Sequence, residues 1–190
     1  MKKFNCYATE TIPVRLIISI AIVSVIMLMV FFSFLNLKII LSENQIENDI
    51  RSLESKLCTM LSSGVARDVD ETDAGHGTKR THTFNIPENI IFLSFGCDPD
   101  ENNDGILQTG LTEDGAVIYY KVSGGCKNVI WLDESFRFRE GNFEKYKWTI
   151  NGFGEGFIID GSGELVLNFE LVEKNHKTYI LIHSNDMIES

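Results

Sequence analysis

An uninterrupted apolar run near the N-terminus constrains this chain more than any other feature. No charged residue lies between Arg15 and Lys38, and residues 16–37 are apolar except for three serines and one asparagine. At about 1.5 Å of rise per residue, this run extends over roughly 33 Å as a helix, close to the bilayer core of about 30 Å. A signal-peptide core, the alternative, has only about 7–15 residues. The run therefore predicts an uncleaved transmembrane helix at residues 14–37.

The charges that flank this run predict its orientation. Two lysines and Arg15 precede it and Glu10 is the only acid there, so the positive-inside rule predicts that residues 1–13 are cytoplasmic. We expect a single-pass protein of the cell membrane with its C-terminal domain outside the cell. Residues 41–190 have a net charge of −13, which disfavours nucleic acid and anionic lipid. Nucleotide-binding motifs are absent from the sequence, so we expect neither nucleic acid nor nucleotide as a partner.

A second helical pattern follows the apolar run directly. Between residues 38 and 63, apolar residues recur at spacings of four and three, as on one face of a helix: Ile46, Ile50, Leu53, Leu57 and Met60. We predict that the transmembrane helix continues as an amphipathic stalk and stops near Gly64. The apolar stripe either packs against the chain's own C-terminal domain or forms a helix interface with other subunits in a coiled coil or filament core.

The pattern changes after residues 64–80, a polar segment that we interpret as a linker. From residue 81 onward, short alternating and β-branched stretches are separated by turn signals. They predict strands at residues 81–86, 89–95, 116–122, 128–132, 135–139, 147–150, 156–159, 165–173 and 178–183. Many short strands at this spacing are typical of a β-sandwich. The predicted fold class is α+β, with a long N-terminal helix followed by an antiparallel β-sandwich head at residues 81–190.

The cysteines divide between the two predicted compartments. Cys6 lies on the cytoplasmic side, where we expect a reduced thiol. Cys97 and Cys126 each end a predicted strand beside a turn, so we expect a disulfide between them. Cys58 is then free or bonded to another chain.

Catalytic patterns are weak. The sequence has neither a G-x-S-x-G nucleophile elbow nor an HExxH motif, and its histidines fall in predicted loops or strands. Adjacent carboxylates point to opposite faces of a strand and fit turns better than an acid–base pair. We therefore expect no enzyme activity.

The segment DPDENNDG at residues 98–105 carries half of an EF-hand calcium motif. Carboxylate and amide oxygens alternate before Gly105, which permits a tight turn. Leu111 occupies the position where an EF-hand needs glutamate, and the flanks are predicted strands, so an EF-hand is excluded. Two interpretations stay open: an acidic turn, and a calcium loop between strands with ligands from Asp98, Asp100, Asn102, Asp104, Ile106 and Glu113.

The layout of the sequence resembles a known kind of membrane protein. Its start, TIPVRLIISIAIVSVIMLMV, followed by a helical stalk and a β-rich domain, is similar to archaeal type IV pilin-like proteins. The stretches DPDENNDGILQTGLTEDG and KNVIWLDESFRFREG resemble an uncharacterised archaeal family of single-span membrane proteins associated with pilus or secretion loci. The resemblance implies a structural or accessory component of a type IV pilus-like or secretion apparatus, with pilin-like or assembly-platform subunits as partners. The alternative is an anchored extracellular binding domain, for cell-envelope or ligand contact, with no filament role.

Overall fold

The computed structural model describes residues 11–71, 77–144, 147–150 and 155–184. The chain divides into two compact units, Met1–Ile40 and Leu41–Ser190. Its elements are α1 (Thr11–Ser63), β1 (Arg67–Asp68), β2 (Lys79–Ile86), β3 (Ile90–Phe95), β4 (Val117–Val122), β5 (Lys127–Trp131), β6 (Phe138–Glu144), β7 (Lys147–Ile150), β8 (Phe157–Ile159), β9 (Gly163–Lys174) and β10 (Lys177–Ser184). The α+β class is confirmed.

The first unit consists of the apolar part of α1. Every side chain from Val14 to Lys38 is exposed within the chain, and the helix is long and apolar enough to cross a membrane. The hydroxyls of Ser19, Ser24 and Ser33 donate to carbonyl oxygens one turn earlier, at 2.9, 2.8 and 2.8 Å. Because each hydroxyl is satisfied inside the helix, these serines add little cost to placing this segment in lipid.

The second unit contains the rest of α1, which buries one stripe. The five residues of the predicted stripe are each at most 1% exposed. Polar contacts on either side hold the helix against the strands: Ser42 Oγ donates to Asn89 Oδ1 at 2.8 Å, and Asn128 Nδ2 donates to Glu43 Oε1 at 3.2 Å. The stripe therefore lies inside this unit, where each large side chain contributes about 1.5–3 kcal/mol of burial free energy.

The helix ends where the sequence predicts. Ser63 is its last residue, and Gly64 N–H donates to the Met60 carbonyl at 2.8 Å. A Cβ at Gly64 would clash with that same carbonyl oxygen, so a side chain there would force the backbone to shift. Val65 then exchanges hydrogen bonds with Thr78, which ties the helix exit to the start of β2.

Two sheets form the rest of the second unit. The larger runs in the order β1-β9-β10-β6-β7, with β2 also paired to β9. The smaller runs in the order β5-β4-β3-β8 and is antiparallel throughout. Phe95 of the smaller sheet contacts three rings of the larger sheet, those of Phe84, Phe138 and Phe169, at centroid distances of 5.8, 5.4 and 6.0 Å. The two sheets therefore share an aromatic core.

The larger sheet departs from the predicted antiparallel arrangement. β1 pairs with β9, and β10 with β6, in parallel, so the head is mixed. β1 also lies in the predicted linker at residues 64–80, where Arg67 forms a buried ion pair with Glu170. The strand predicted at residues 135–139 begins later, at Phe138, because Phe136 N–H closes a turn onto the Asp133 carbonyl at 2.9 Å.

Candidate functional site

The acidic loop lies over the outer face of the smaller sheet. Residues opposite each other in an antiparallel pair share a face, and the β4–β5 register places six side chains together on the face that the loop covers: Val117, Tyr119, Lys121, Lys127, Val129 and Trp131. The opposite face carries Asn128, which contacts α1. The loop is therefore on the side of this sheet away from the helix.

Two lysines of this face bind the loop. Lys127 Nζ donates to Asp98 Oδ2 at 2.7 Å and to the Asp100 carbonyl at 2.9 Å. Lys121 Nζ lies 3.7 Å from Asp100 Oδ2, and the Asp100 side chain is only 4% exposed. A partly buried carboxylate is costly without a positive partner, so these ammonium groups supply the charge that holds the loop on the sheet.

Hydrogen bonds inside the loop fix its shape. Asp100 Oδ1 accepts from Gly105 N–H at 3.1 Å, and Asp104 Oδ1 accepts from Ile106 N–H at 2.8 Å. Gly105 has φ of 81°, a conformation in which glycine carries no steric penalty. Gln108 N–H closes the neck of the loop by donating to the Pro99 carbonyl at 2.8 Å.

The structure brings together some of the predicted calcium ligands and separates others. Asp98 and Asp100 lie together, since Asp98 Oδ1 accepts from Asp100 N–H at 3.2 Å. Asn102 and Asp104 are exposed at the tip of the loop, and Ile106 is also exposed. Glu113 is exposed in a separate turn, at φ of 50°. Within the described ranges, His, Cys, Asp and Glu side chains form no group of three or more arranged to hold a metal. The acidic turn and the calcium loop therefore both stay open as interpretations of this segment.

A cleft of about 380 Å³ lies between the loop and the sheet. Its lining is mostly polar and comes from both sides of the loop and from β4: Asp98, Glu101, Gln108, Gly110, Leu111, Thr112 and Tyr119. Thr112 Oγ1 accepts from Asp98 N–H at 2.9 Å, so the two walls are joined. Burial raises the pKa of the Tyr119 phenol, and the nearby Asp98 carboxylate raises it further.

An exposed tryptophan lies beside Tyr119, which lines this cleft. Trp131 is 54% exposed and contacts the Tyr119 ring edge-on, with centroids 6.5 Å apart. Trp131, Tyr119 and the two lysines were not among the predicted site residues. A signal for them existed, because the Ser-Gly-Gly turn after β4 fixes the register that puts these residues on one face.

The predicted disulfide between Cys97 and Cys126 is not formed. Both thiols are free, as is that of Cys58. Gly96 N–H bonds the Val117 carbonyl at the start of β4, whereas Cys126 follows the turn after Val122 at its end. Five residues of strand separate these points by about 16 Å, and a disulfide needs Cα atoms within about 7 Å. Cys97 is buried, and burial raises its pKa to about 12, so the thiol stays protonated.

A second polar cluster lies on the outer face of the larger sheet. Arg67 Nε bonds Glu170 Oε1 at 2.9 Å, with the two side chains 6% and 1% exposed. Arg67 Nη2 also donates to the Trp148 carbonyl at 2.7 Å, and Gly77 N–H donates to Glu170 Oε1 at 3.2 Å. Because both charges have further hydrogen-bond partners, the buried pair is compensated. The sequence gives no sign of it, since the partners lie 103 positions apart.

His183 lies beside this cluster and stacks on Trp148, with ring centroids 4.1 Å apart. It is 3% exposed, and neither ring nitrogen has a hydrogen-bond partner among the described residues. Burial lowers its pKa to about 4, against a smaller opposing effect of Glu170. The imidazole is therefore neutral at pH 7 and acts as a packing group.

No protein-family model matches this chain, and neither a curated protein nor a solved structure matches it. The residues and their geometry are therefore the basis for a functional proposal.

Proposed function

We propose that this protein is a membrane-anchored, pilin-like structural or accessory component of a type IV pilus-like or secretion apparatus. The observation that carries the proposal is the division of α1. Its first part is apolar and exposed on all sides, and its second part buries a single stripe in the head unit. Such a helix can anchor in lipid and present an apolar surface to other helices, while the head keeps its own separate core.

The burial of the stripe decides which surface is available to partners. Ile46, Ile50, Leu53, Leu57 and Met60 are buried in this chain, so a coiled coil through them would require the head to open. The apolar surface left for neighbouring subunits is that of the first unit, up to Ile40. We therefore propose subunit contacts through the membrane part of the helix.

The proposed arrangement puts the N-terminus in the cytoplasm and the head outside the cell. The lysines and arginine before the apolar run, and the acidic head after it, support this orientation. We further propose that the two sheets pack as a sandwich around their shared aromatic rings, with the stalk along one side. The parallel pairs of the larger sheet are compatible with this packing.

Crosslinking from the helix in native membranes tests the subunit contact. A photoreactive residue at Leu28 should crosslink to a second copy or to a pilin-like or platform subunit encoded beside this chain, and one at the exposed Ser55 serves as the matched control. Mass spectrometry of the native N-terminus tests processing independently. An intact Met1 removes a processed pilin but leaves an anchored accessory subunit, whereas lipid-only crosslinks from Leu28 contradict both.

The second candidate is an anchored extracellular binding domain without a filament role. The cleft beside the acidic loop favours it, because a preformed recess lined by polar side chains is typical of ligand sites. Lipid-only crosslinks from Leu28, together with ligand binding at the cleft, would establish this candidate over the first.

A further inference from the structure

The cleft beside the acidic loop has the construction of a preformed site. Gln108 N–H bonds the Pro99 carbonyl at 2.8 Å, Gly156 N–H bonds the Thr109 carbonyl at 2.9 Å, and Thr112 N–H bonds the Gly96 carbonyl at 3.0 Å. These bonds tie both walls to the sheet, so a ligand would not need to order the loop before binding. A preformed recess loses less conformational entropy on binding than a mobile one does.

The lining offers a particular set of hydrogen-bonding groups. Gln108 provides both a donor and an acceptor, Glu101 provides acceptors, and both are exposed at the rim. Trp131 adjoins this lining through Tyr119: its ring is 54% exposed, lies on the same sheet face as Tyr119 and contacts the Tyr119 ring edge-on. The cleft therefore offers groups that pair with hydroxyls, and an exposed aromatic ring lies next to it.

The electrostatics of the cleft accommodate a neutral ligand. Lys127 Nζ already neutralises Asp98 at 2.7 Å and lies 5.9 Å from the Tyr119 ring centroid. A cationic ligand would compete with Lys127 for Asp98, although it could also pair with Glu101 at the rim, and an anionic ligand would meet the Glu101 carboxylate. A neutral ligand avoids both costs and can hydrogen-bond to the rim without disturbing the ion pair.

We propose that this cleft binds a neutral saccharide, with Trp131 as the stacking surface for a sugar ring and Gln108 and Glu101 as partners for its hydroxyls. A volume of about 380 Å³ falls at the small end of ligand pockets, which fits one end of a glycan chain. The cleft lies on the face away from α1, so binding there does not depend on whether the helix joins a filament.

Calorimetric titration of the full chain tests the proposal. The protein is placed in phosphatidylcholine nanodiscs, which contain no sugar, and titrated with neutral trisaccharides of glucose, mannose, galactose and N-acetylglucosamine. We expect at least one of them to saturate. Trp131→Ala should then weaken binding about tenfold or more, as the loss of an aromatic anchor does.

Two further variants keep the test independent of folding. Glu101 is exposed at the rim, so Glu101→Gln should weaken binding without changing the melting temperature. Phe143→Ala is the matched control, because Phe143 is an exposed aromatic residue, 40% accessible, on the other sheet. The Phe143→Ala variant should bind the trisaccharide with the same affinity as the native chain.

Three results would overturn the proposal. They are the absence of saturable binding by any of these trisaccharides up to tens of millimolar, binding that Trp131→Ala leaves unchanged, and binding of tri-lysine in the same cleft where the sugars fail. The last result would assign the cleft to a basic peptide.

Discussion

The two parts of α1 belong to one continuous helix but differ in how far their apolar side chains are buried. From Val14 to Lys38 every side chain is exposed, although nearly all are apolar. From Leu41 to Ser63 apolar residues are fewer, yet those of the stripe are at most 1% exposed. The distribution of apolar residues around the helix, rather than their number, therefore decides which part packs on the strands.

The largest expected effect comes from making the same substitution in both parts. Leu57→Ala removes a fully buried side chain and should lower the free energy of unfolding of the head by about 2–5 kcal/mol. Leu28→Ala removes a side chain that is 57% exposed within the chain and should change it by less than about 0.5 kcal/mol. Urea unfolding in nanodiscs, followed by tryptophan fluorescence, measures both, because Trp131 and Trp148 lie in the head.

Equal losses from the two substitutions would contradict the division of the helix. An equal loss would mean that the Leu28 side chain stabilises the head as much as the Leu57 side chain does. A small loss from Leu57→Ala alone would mean that the stalk is not part of the head's core.

An effect of intermediate size is expected from pH, which should change the stability of the head but not that of the first part of α1. The first part carries no ionisable side chain between Arg15 and Lys38, whereas the head buries His183 with its pKa lowered from 6.5 to about 4. Below pH 6.5 His183 is protonated in the unfolded chain but stays neutral in the folded chain. The head should therefore lose stability as pH falls toward 4. We expect a loss of about 1–3 kcal/mol, complete near pH 4 and absent above pH 7.

The variant His183→Phe tests whether His183 causes this pH dependence. Phenylalanine can keep the stacking on Trp148 but cannot titrate, and neither imidazole nitrogen has a hydrogen-bond partner among the described residues. The variant should match the native chain at pH 7 and lose less stability between pH 6.5 and 5, before most carboxylates protonate. An identical pH dependence would assign the effect to another group.

The smallest expected effect concerns calcium at the acidic loop. Because Lys127 already pairs with Asp98, we expect millimolar calcium to leave the melting temperature of the native chain unchanged. Lys127→Met should lower stability by about 0.5–1.5 kcal/mol, and calcium should restore part of this by replacing the missing charge. A calcium-dependent rise in the native chain that Asp104→Ala abolishes would establish the calcium loop instead.

Sequence patterns predicted the elements of this fold far better than their pairing. Period-two alternation located β2, β4, β9 and β10 to within two or three residues, and Gly64 marked the end of the helix. The two-residue strand β1 has no periodicity of its own, and its parallel pairing is accompanied by the buried Arg67–Glu170 ion pair. Partners 103 positions apart leave no local pattern.

Only part of the candidate site can be predicted from the sequence, for the same reason. The acidic residues at 98–105 can be recognised in the sequence. The lysines that neutralise two of them come from β4 and β5, which are distant in the sequence. The cysteine pair was predicted from the turns beside each residue. Strand direction decides the outcome, because β3 and the β4–β5 turn place the two thiols at opposite ends of β4.

The order of strands in the larger sheet has a consequence for biogenesis. β9 and β10 lie in its middle, between β1 and β2 on one side and β6 on the other. β1 and β2 pair with β9, so both wait for this partner until Lys174 has been synthesised. β6 can pair earlier with β7 but waits for β10 on its other side. During that interval the aromatic residues of the future core lack part of their native packing, so we expect a head of this topology to fold late and slowly.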